Sequence, residues 1–176
     1  MVLILPEKEE LHSAIHEVNT LAFVQENEAR LVENIRKSCS FNAQLSLAAV
    51  TEGRVVGHIL FSPITIETIK RSLPALTLAP MAVHPEFQNQ GIGSKRVREG
   101  LERCRNLGHQ IVVVVGHPEY YPRFGFTPAR VKGLEAPFPV PDEEFMVFEL
   151  VSVALDGVSG MIVYPAPFGS IDEQIL

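Results

Sequence analysis

The spacing of apolar positions near the start of the chain predicts a short strand followed by two helices. Residues 2–5 form an apolar run of strand length. Leu11, Ile15 and Val18 then recur every three to four residues, which places them on one helical face. A second helix is predicted over 28–38 from the same periodicity. The N-terminal part of the chain is therefore expected to place two amphipathic helices against a sheet.

The middle of the chain predicts antiparallel strands. The runs at 45–50 and 54–67 are rich in aliphatic residues, and the dipeptide Glu52-Gly53 between them is a turn signal. A second turn is predicted over 70–74, where polar residues and a proline interrupt the apolar pattern. The strand that follows is predicted over 76–84.

A strand–helix–strand unit is the clearest local pattern. Val97, Leu101 and Cys104 are spaced to form one helical face, and Gly108 is suited to end that helix. The run 111–115 is continuously apolar, as in a parallel strand buried on both faces. The unit is expected to be a right-handed crossover between parallel strands.

The whole pattern predicts one mixed α/β domain. Closing strands are predicted over 145–153 and 161–164, and the Pro-rich 136–141 is a loop within the domain. A chain of 176 residues that is 46% apolar is long enough for one well-filled core. We expect a single domain over 1–176, with the core in about 1–150 and a C-terminal strand extension over 151–176.

Composition excludes several classes of partner. The net charge of −6 disfavours nucleic acid as a partner, and the apolar runs are too short to span a membrane. Cys39 and Cys104 have neither metal-ligand spacing nor the pattern of a disulfide framework. Because the N-terminal residues also lack a signal-peptide pattern, the expected location is cytoplasmic.

The last quarter of the chain is acidic. Residues 133–176 contain no Lys or Arg but eight acids: Glu135, Asp142, Glu143, Glu144, Glu149, Asp156, Asp172 and Glu173. This segment is either a solvated acidic surface or an acidic rim that attracts a cationic substrate. The sequence leaves both interpretations open.

A glycine-containing turn joins the strand 76–84 to the helix that follows it. Free backbone N–H groups at a helix N-terminus bind phosphate, and Gly91 and Gly93 let the backbone approach such a ligand. The turn is neither a Walker loop nor a dinucleotide fingerprint, because the position of the third glycine in the fingerprint is occupied by Arg96. From these residues alone the turn is either a phosphate-binding turn of another kind or an ordinary turn.

Two motifs together resemble the GNAT family, the Gcn5-related N-acetyltransferases. Gln88-x-x-Gly91-x-Gly93 after a strand that ends "AVHPEF" matches the acetyl-CoA loop of that family. Tyr121 stands four residues before Gly125-Phe126, as in the Y-x-x-x-G-F motif that family members often carry after the next strand. The longer string "VVGHPEYYPRFGF" is similar to a bacterial YhbS-like branch, and the resemblance covers about residues 1–150.

This resemblance implies a fold and an activity. The fold would be a twisted mixed sheet of six to seven strands flanked by helices, with 76–84 and 111–115 as a central, splayed parallel pair. The activity would be N-acetyltransfer from acetyl-CoA to a primary amine of a small molecule or peptide, by direct attack on the thioester and without a metal. The alternative is a non-catalytic acyl-CoA-binding or sensor module. Whether the chain is a monomer or a homodimer stays open.

The resemblance also implies binding residues. Backbone N–H groups of the turn would hold the pyrophosphate of the cofactor, and this set comprises Gln88, Asn89, Gln90, Gly91, Ile92, Gly93 and Ser94. Ala82 and Val83 would belong to the strand whose backbone pairs with pantetheine, and a backbone amide near Val83 would polarise the thioester carbonyl. Lys95 and Arg96 are either surface charges or contacts to the 3′-phosphate.

Tyr121 is implied as the general acid that protonates the leaving thiolate, because a phenol is ordinarily still protonated where a thiol ionises. Packing against neighbouring aromatic rings would be its alternative role, and Tyr120 is expected to be wall or core. The general base stays open among five candidates: His58, His84, His117, Glu26 and Glu28. A base that acts through ordered water would leave no mark on the sequence.

Overall fold

The computed structural model describes residues 1–169, which form a nine-stranded sheet with helices on both faces. The helices are α1 (His12–Phe23), α2 (Asn27–Arg36) and α3 (Ile92–Asn106). The strands are β1 (Leu3–Pro6), β2 (Ser46–Thr51), β3 (Arg54–Thr68), β4 (Ser72–Val83), β5 (Ile111–Val115), β6 (Thr127–Pro128), β7 (Leu134–Glu135), β8 (Phe145–Glu149) and β9 (Gly160–Val163). The sheet order is β1-β2-β3-β4-β5-β8-β6, and β9 pairs with β3 and β7.

The predicted hairpin is confirmed. β2 and β3 pair antiparallel up to Thr51 and Arg54, and Glu52 and Gly53 form the two-residue turn between them. Both turn residues have positive φ angles, 50° and 75°, as a hairpin turn of the primed type requires. The turn chemistry therefore sets the register of the adjacent pairs, up to an irregularity between Ala49 and Val50 where the register shifts.

The predicted crossover unit is also confirmed. β4 and β5 are parallel, α3 connects them, and β5 is buried on both faces. The two strands pair only through Leu76 with Val112 and Thr77 with Val113, although β4 continues to Val83. They therefore part beyond that point, and the backbone of the last part of β4 has no partner on the β5 side.

Alternation along the strands divides the core between the two faces. Leu47 and Phe61 belong to the cluster that receives Val97 and Leu101 of α3. Ala48, Leu60 and Ala79 instead belong to the cluster of Ile15 and Val18 from α1 and Leu31, Val32 and Ile35 from α2. Successive residues of a strand face opposite sides of a sheet, so α3 covers one side and α1 with α2 covers the other.

The number of strands differs from the prediction, and so do two strand bounds by four residues each, one of which is the start of β4 at Ser72 instead of 76. The sheet has more strands than six to seven, because β6 and β7 contain only two residues each and show no periodicity. The closing strand ends at Glu149 instead of 153, since Leu150 N–H donates to the Gln110 carbonyl and the chain then enters turns. The last part of the predicted C-terminal extension, residues 170–176, lies outside the described residues.

Candidate functional site

A cleft of about 1010 Å³ opens where β4 and β5 part. Its wall combines the end of β4, the glycine turn, the start of α3 and the segment after β5, and it includes Met81, Val83, Gln88, Asn89, Gly91, Ile92, Gly93, Ser94, His117, Tyr120 and Tyr121. Ala22 and Phe23, at the end of α1, also line it, as do Phe87, Pro118, Glu119 and Arg123. Of the predicted site residues, only Ala82 and Gln90 do not line this cleft.

The glycine turn presents free N–H groups to the cleft. Gly91 has a left-handed φ of 79° and immediately precedes α3, where a residue with a side chain would be strained. The first backbone bond of the helix runs from Lys95 N–H to the Gly91 carbonyl at 3.0 Å. The N–H groups of Ile92, Gly93 and Ser94 therefore have no partner within the helix, and such groups form an anion-binding site.

The second glycine of the turn lies in a close contact with Tyr120. A Cβ on Gly93 would lie 3.0 Å from the Tyr120 hydroxyl, and that hydroxyl is 3.4 Å from the Ser94 hydroxyl. The side chain of Gln88 donates to the Val83 carbonyl at 3.3 Å and so joins the turn to the strand end. Tyr120, which the sequence placed in the wall or core, is the residue that supports the start of α3.

At the end of β4, every second residue directs its backbone N–H and carbonyl groups toward the cleft. His84 N–H donates to the Val56 carbonyl at 2.9 Å, and Ala82 and Val83 are in register with His58 and Gly57 of β3. Hydrogen-bonded pairs alternate along antiparallel strands, so the backbone groups of Ala82 face β3 and those of Val83 face away from it. Val83 therefore presents its N–H to the cleft. Met81, two residues earlier on the same strand, does so as well, and it was not among the site residues predicted from the sequence.

Tyr121 begins a short 3₁₀ turn, Tyr121–Phe124, on the wall of the cleft. It is only 7% exposed, and its ring packs edge-on against Tyr120 and Phe126 at centroid distances of 5.1 and 5.6 Å. Burial raises the pKa of its phenol well above the ordinary value, the neighbouring Tyr120 raises it further, and Arg96 opposes the rise. The geometry thus accommodates both the predicted proton donor and the packing role.

His58 is not available as a base in the cleft. It is fully buried, with Nε2 2.8 Å from the Ser46 hydroxyl and Nδ1 3.1 Å from the Asn19 amide. The Asn19 amide nitrogen also donates to a carbonyl, so Nδ1 is the acceptor and Nε2–H donates. Burial, together with the charges of Arg96 and Arg36, lowers the pKa of His58 to about 3.

This buried histidine predicts a pH dependence of stability. Between its ordinary pKa of 6.5 and the folded value of about 3, the unfolded chain binds a proton at His58 that the folded chain does not. The free energy of unfolding should therefore fall as the pH falls below 6.5, by up to about 1.4 kcal/mol per pH unit from this group. Urea unfolding from about pH 7 to pH 4 should show a shallower dependence for His58→Gln.

The control for that experiment is His117→Gln, which removes an exposed histidine. It should leave the slope of stability against pH unchanged. Equal slopes for the wild type and His58→Gln would contradict the assignment of a neutral, buried His58.

The other four candidate bases differ in whether their side chains lie in the cleft. His84 Nδ1 accepts the Glu86 N–H at 3.2 Å, so this side chain caps the turn after β4. Glu26 pairs with Arg30 and lines a separate groove between α1 and α2, and Glu28 is buried and accepts from the Gln25 amide. His117 is the one candidate among the five that lines the cleft.

Of the two basic residues at the start of α3, Lys95 is an exposed surface charge, as one of the two interpretations predicted, and Arg96 is not. Lys95 Nζ donates to the Val2 carbonyl at 2.7 Å, which ties α3 to the start of β1. Arg96 is fully buried, and its Nη1 donates to the Ala82 carbonyl at 2.6 Å. The prediction of a surface charge or a 3′-phosphate contact is therefore wrong for Arg96, because the side chain points inward beneath the end of β4.

The acidic segment supplies local ion pairs. Glu135 and Asp142 both pair with Arg130, and Glu149 pairs with Lys132. Asp172 and Glu173 lie outside the described residues. None of the described acids of the segment lines the cleft, which favours the interpretation as a structured, solvated surface.

Neither a metal-ligand cluster nor a membrane-spanning helix occurs within residues 1–169. Residues 1–169 contain no group of three or more His, Cys, Asp or Glu side chains that could hold a metal ion. Within that range, no helix has both the length and the apolar character needed to cross a membrane.

Comparison with known proteins identifies the family. Residues 4–129 match the family model described as an acetyltransferase (GNAT) domain. The chain is 46% identical to the uncharacterized N-acetyltransferase YjhQ of Escherichia coli over 132 residues, covering 74% of this chain and 73% of that protein. It is 33% identical to the uncharacterized N-acetyltransferase YhbS of the same species over 147 residues, covering 84% and 86%.

Solved structures show the same fold. The crystal structure of Escherichia coli YhbS in complex with CoA matches with a TM-score of 0.88 and 30% identity, covering 97% of this chain and 93% of that one. A GNAT family acetyltransferase from Brucella melitensis in complex with acetyl-CoA matches with a TM-score of 0.76 and 30% identity, covering 96% and 98%. The resemblance that the two sequence motifs suggested is thereby confirmed, and the chain belongs to the GNAT family of acetyltransferases.

Proposed function

We propose that this protein transfers an acetyl group from acetyl-CoA to a primary amine of a small molecule or a peptide. The observation that carries the proposal is the position of the free N–H groups of Ile92, Gly93 and Ser94 at the open end of the β4–β5 pair. They lie in the same cleft as the backbone of Val83 and the side chain of Tyr121. Phosphate groups of the cofactor would bind the helix start, and the acyl end would lie along β4.

Two relatives support the choice of cofactor. The structure of YhbS is a complex with CoA, and that of the Brucella melitensis acetyltransferase is a complex with acetyl-CoA. Each is 30% identical to this chain over nearly its whole length. The free N–H groups at the start of α3 are of the kind that binds phosphate, and they support the proposal of the same cofactor class here.

The chemistry would be direct aminolysis of the thioester. The neutral amine attacks the acetyl carbonyl, a C–N bond forms and the C–S bond breaks. The Val83 N–H would stabilise the developing oxyanion, and Tyr121 would give its proton to the departing thiolate. The proton lost by the amine would pass to His117 or to water, since His117 is the one of the five predicted candidate bases that lines the cleft, although the Glu119 carboxylate also lies on the wall.

The acceptor would enter beside the end of α1, where Ala22 and Phe23 form an apolar part of the wall. The end of α1 contributes no charged side chain to the cleft wall. It therefore gives no reason to narrow the acceptor beyond a primary amine. A cytoplasmic location belongs to the same proposal, because Cys39 and Cys104 are both free thiols.

The deciding experiment is a thiol-release assay with acetyl-CoA and a panel of polyamines, aminoglycosides, amino acids and peptides. Acceptor-dependent release of CoA, with the acetylated amine identified by mass spectrometry, would establish the transferase. Acetyl-CoA binding without acceptor-dependent release across the panel would favour the acyl-CoA-binding or sensor module. No binding of acetyl-CoA would contradict both functions.

A further inference from the structure

Arg96 is a buried cation that has no anionic partner among residues 1–169. Its side chain is fully buried and forms no ion pair with any described carboxylate. Nη1 donates to the Ala82 carbonyl at 2.6 Å, Nε lies 3.4 Å from the Ile92 carbonyl, and Nη2 has no described hydrogen-bond partner. Burial of an uncompensated charge is expensive, so a purely structural role would be served better by an apolar side chain.

The surroundings of Arg96 keep it charged and in place. Burial lowers the pKa of its guanidinium to about 10, which still leaves it protonated at neutral pH. Gly57 provides the space, because a Cβ there would lie 2.7 Å from the guanidinium carbon. The Nη2 atom lies toward the glycine turn, 3.9 Å from the position of a Cβ on Gly93.

The contact to Ala82 acts on the neighbouring residue through one peptide group. The Ala82 carbonyl and the Val83 N–H belong to the same planar, conjugated unit. A charge-assisted hydrogen bond to the carbonyl oxygen draws electron density from the nitrogen and strengthens the N–H as a donor. The Val83 N–H faces away from β3 and into the cleft. Arg96 therefore affects a hydrogen-bond donor in the cleft through this peptide group, although its own side chain does not line the cleft.

We propose that Arg96 is a positioning residue that fixes and polarises the Ala82–Val83 peptide, so that the Val83 N–H is a stronger donor to the acyl thioester carbonyl. This inference rests on the proposed function and adds a residue outside the cleft to it. This arrangement also depends on Gly57, because only a residue without a side chain leaves room for the guanidinium between β3 and α3.

The test is the infrared carbonyl band of acetyl-CoA labelled with ¹³C at the acetyl carbonyl, recorded bound to the protein. In the wild type, polarisation should shift the band below its frequency in free acetyl-CoA. In Arg96→Met, which replaces the guanidinium by a shorter, unbranched and uncharged side chain, the band should move back toward the free frequency. Arg96→Lys keeps the charge and should restore most of the shift, which a packing role would not require.

Kinetics give an independent readout once an acceptor is known. Arg96→Met should lower kcat by about tenfold, a fraction of the loss expected for removing an oxyanion donor, with KM for acetyl-CoA changed by less than about twofold. The matched control is Arg103→Met on the same helix, whose side chain contacts Gln44 instead of β4. It should leave the band and kcat at wild-type values.

Should Arg96→Met not fold, Gly57→Ala tests the same point while keeping the arginine, because the added methyl displaces the guanidinium from the Ala82 carbonyl. Gly57→Ala should also move the carbonyl band back toward the frequency of free acetyl-CoA. A band identical to that of the wild type in a variant that still binds acetyl-CoA would overturn the role of Arg96 and leave the proposed function intact. Failure of the wild type to bind acetyl-CoA would instead remove the proposed function itself.

Discussion

Gly93→Asp is expected to abolish the rise in melting temperature that acetyl-CoA produces in the wild type. A ligand at 100 times its Kd that binds only the folded state stabilises it by about 2.7 kcal/mol, or about 5–10 °C for a chain of this size. The aspartate places a negative charge beside the free N–H groups at the start of α3, where a phosphate would bind. It also crowds the Tyr120 hydroxyl, which lies 3.0 Å from the Cβ position of residue 93.

Thermal denaturation with and without acetyl-CoA measures this effect. The control is Gly157→Asp, which adds the same charge in an exposed turn where a Cβ meets no atom within 4 Å, although the φ of 71° strains a residue with a side chain there. That variant should keep the full shift, even if its melting temperature without ligand changes slightly. An equal ligand-induced shift in the wild type and in a folded Gly93→Asp protein would show that the turn 88–94 is not the cofactor site.

The features that sequence predicted well are those with a local cause. The turn Glu52-Gly53 has the residues that a two-residue hairpin demands, and the apolar run 111–115 has the continuous burial of a central parallel strand. The same holds for the site, where Gly91 marks the left-handed residue before α3. Each of these depends on a few neighbouring residues, so a linear pattern is sufficient to find it.

The features that sequence missed depend on contacts between distant segments. Arg96 follows a polar stretch and resembles any surface arginine, and its burial is possible only because Gly57, 39 positions earlier, leaves space in β3. Which of Ala82 and Val83 faces the cleft depends on the register with β3, which a single strand does not encode. Tyr120 likewise acquires its role from the distant Gly93 and Ser94.

Tyr121→Phe is expected to lower turnover by about 10²–10³-fold, the range for loss of a general acid. The change removes one hydroxyl and preserves the ring that packs against Tyr120 and Phe126. Cofactor affinity should change little, because the turn 88–94 and the β4 backbone provide most of the binding. Steady-state kinetics with an acceptor from the amine panel, together with the acetyl-CoA melting shift, separate the two effects.

The pH profile adds a second criterion for the same residue. Because burial raises the pKa of Tyr121 above that of a free phenol, the wild-type rate should show no descending limb from this group up to about pH 10. The matched control is Tyr120→Phe, which removes the neighbouring hydroxyl near Ser94 and should reduce turnover far less. If Tyr121→Phe instead stays within about twofold of the wild type, the fall is too small for a lost proton donor. Tyr121 would then have only the packing role that its ring contacts provide, and the thiolate would be protonated by water.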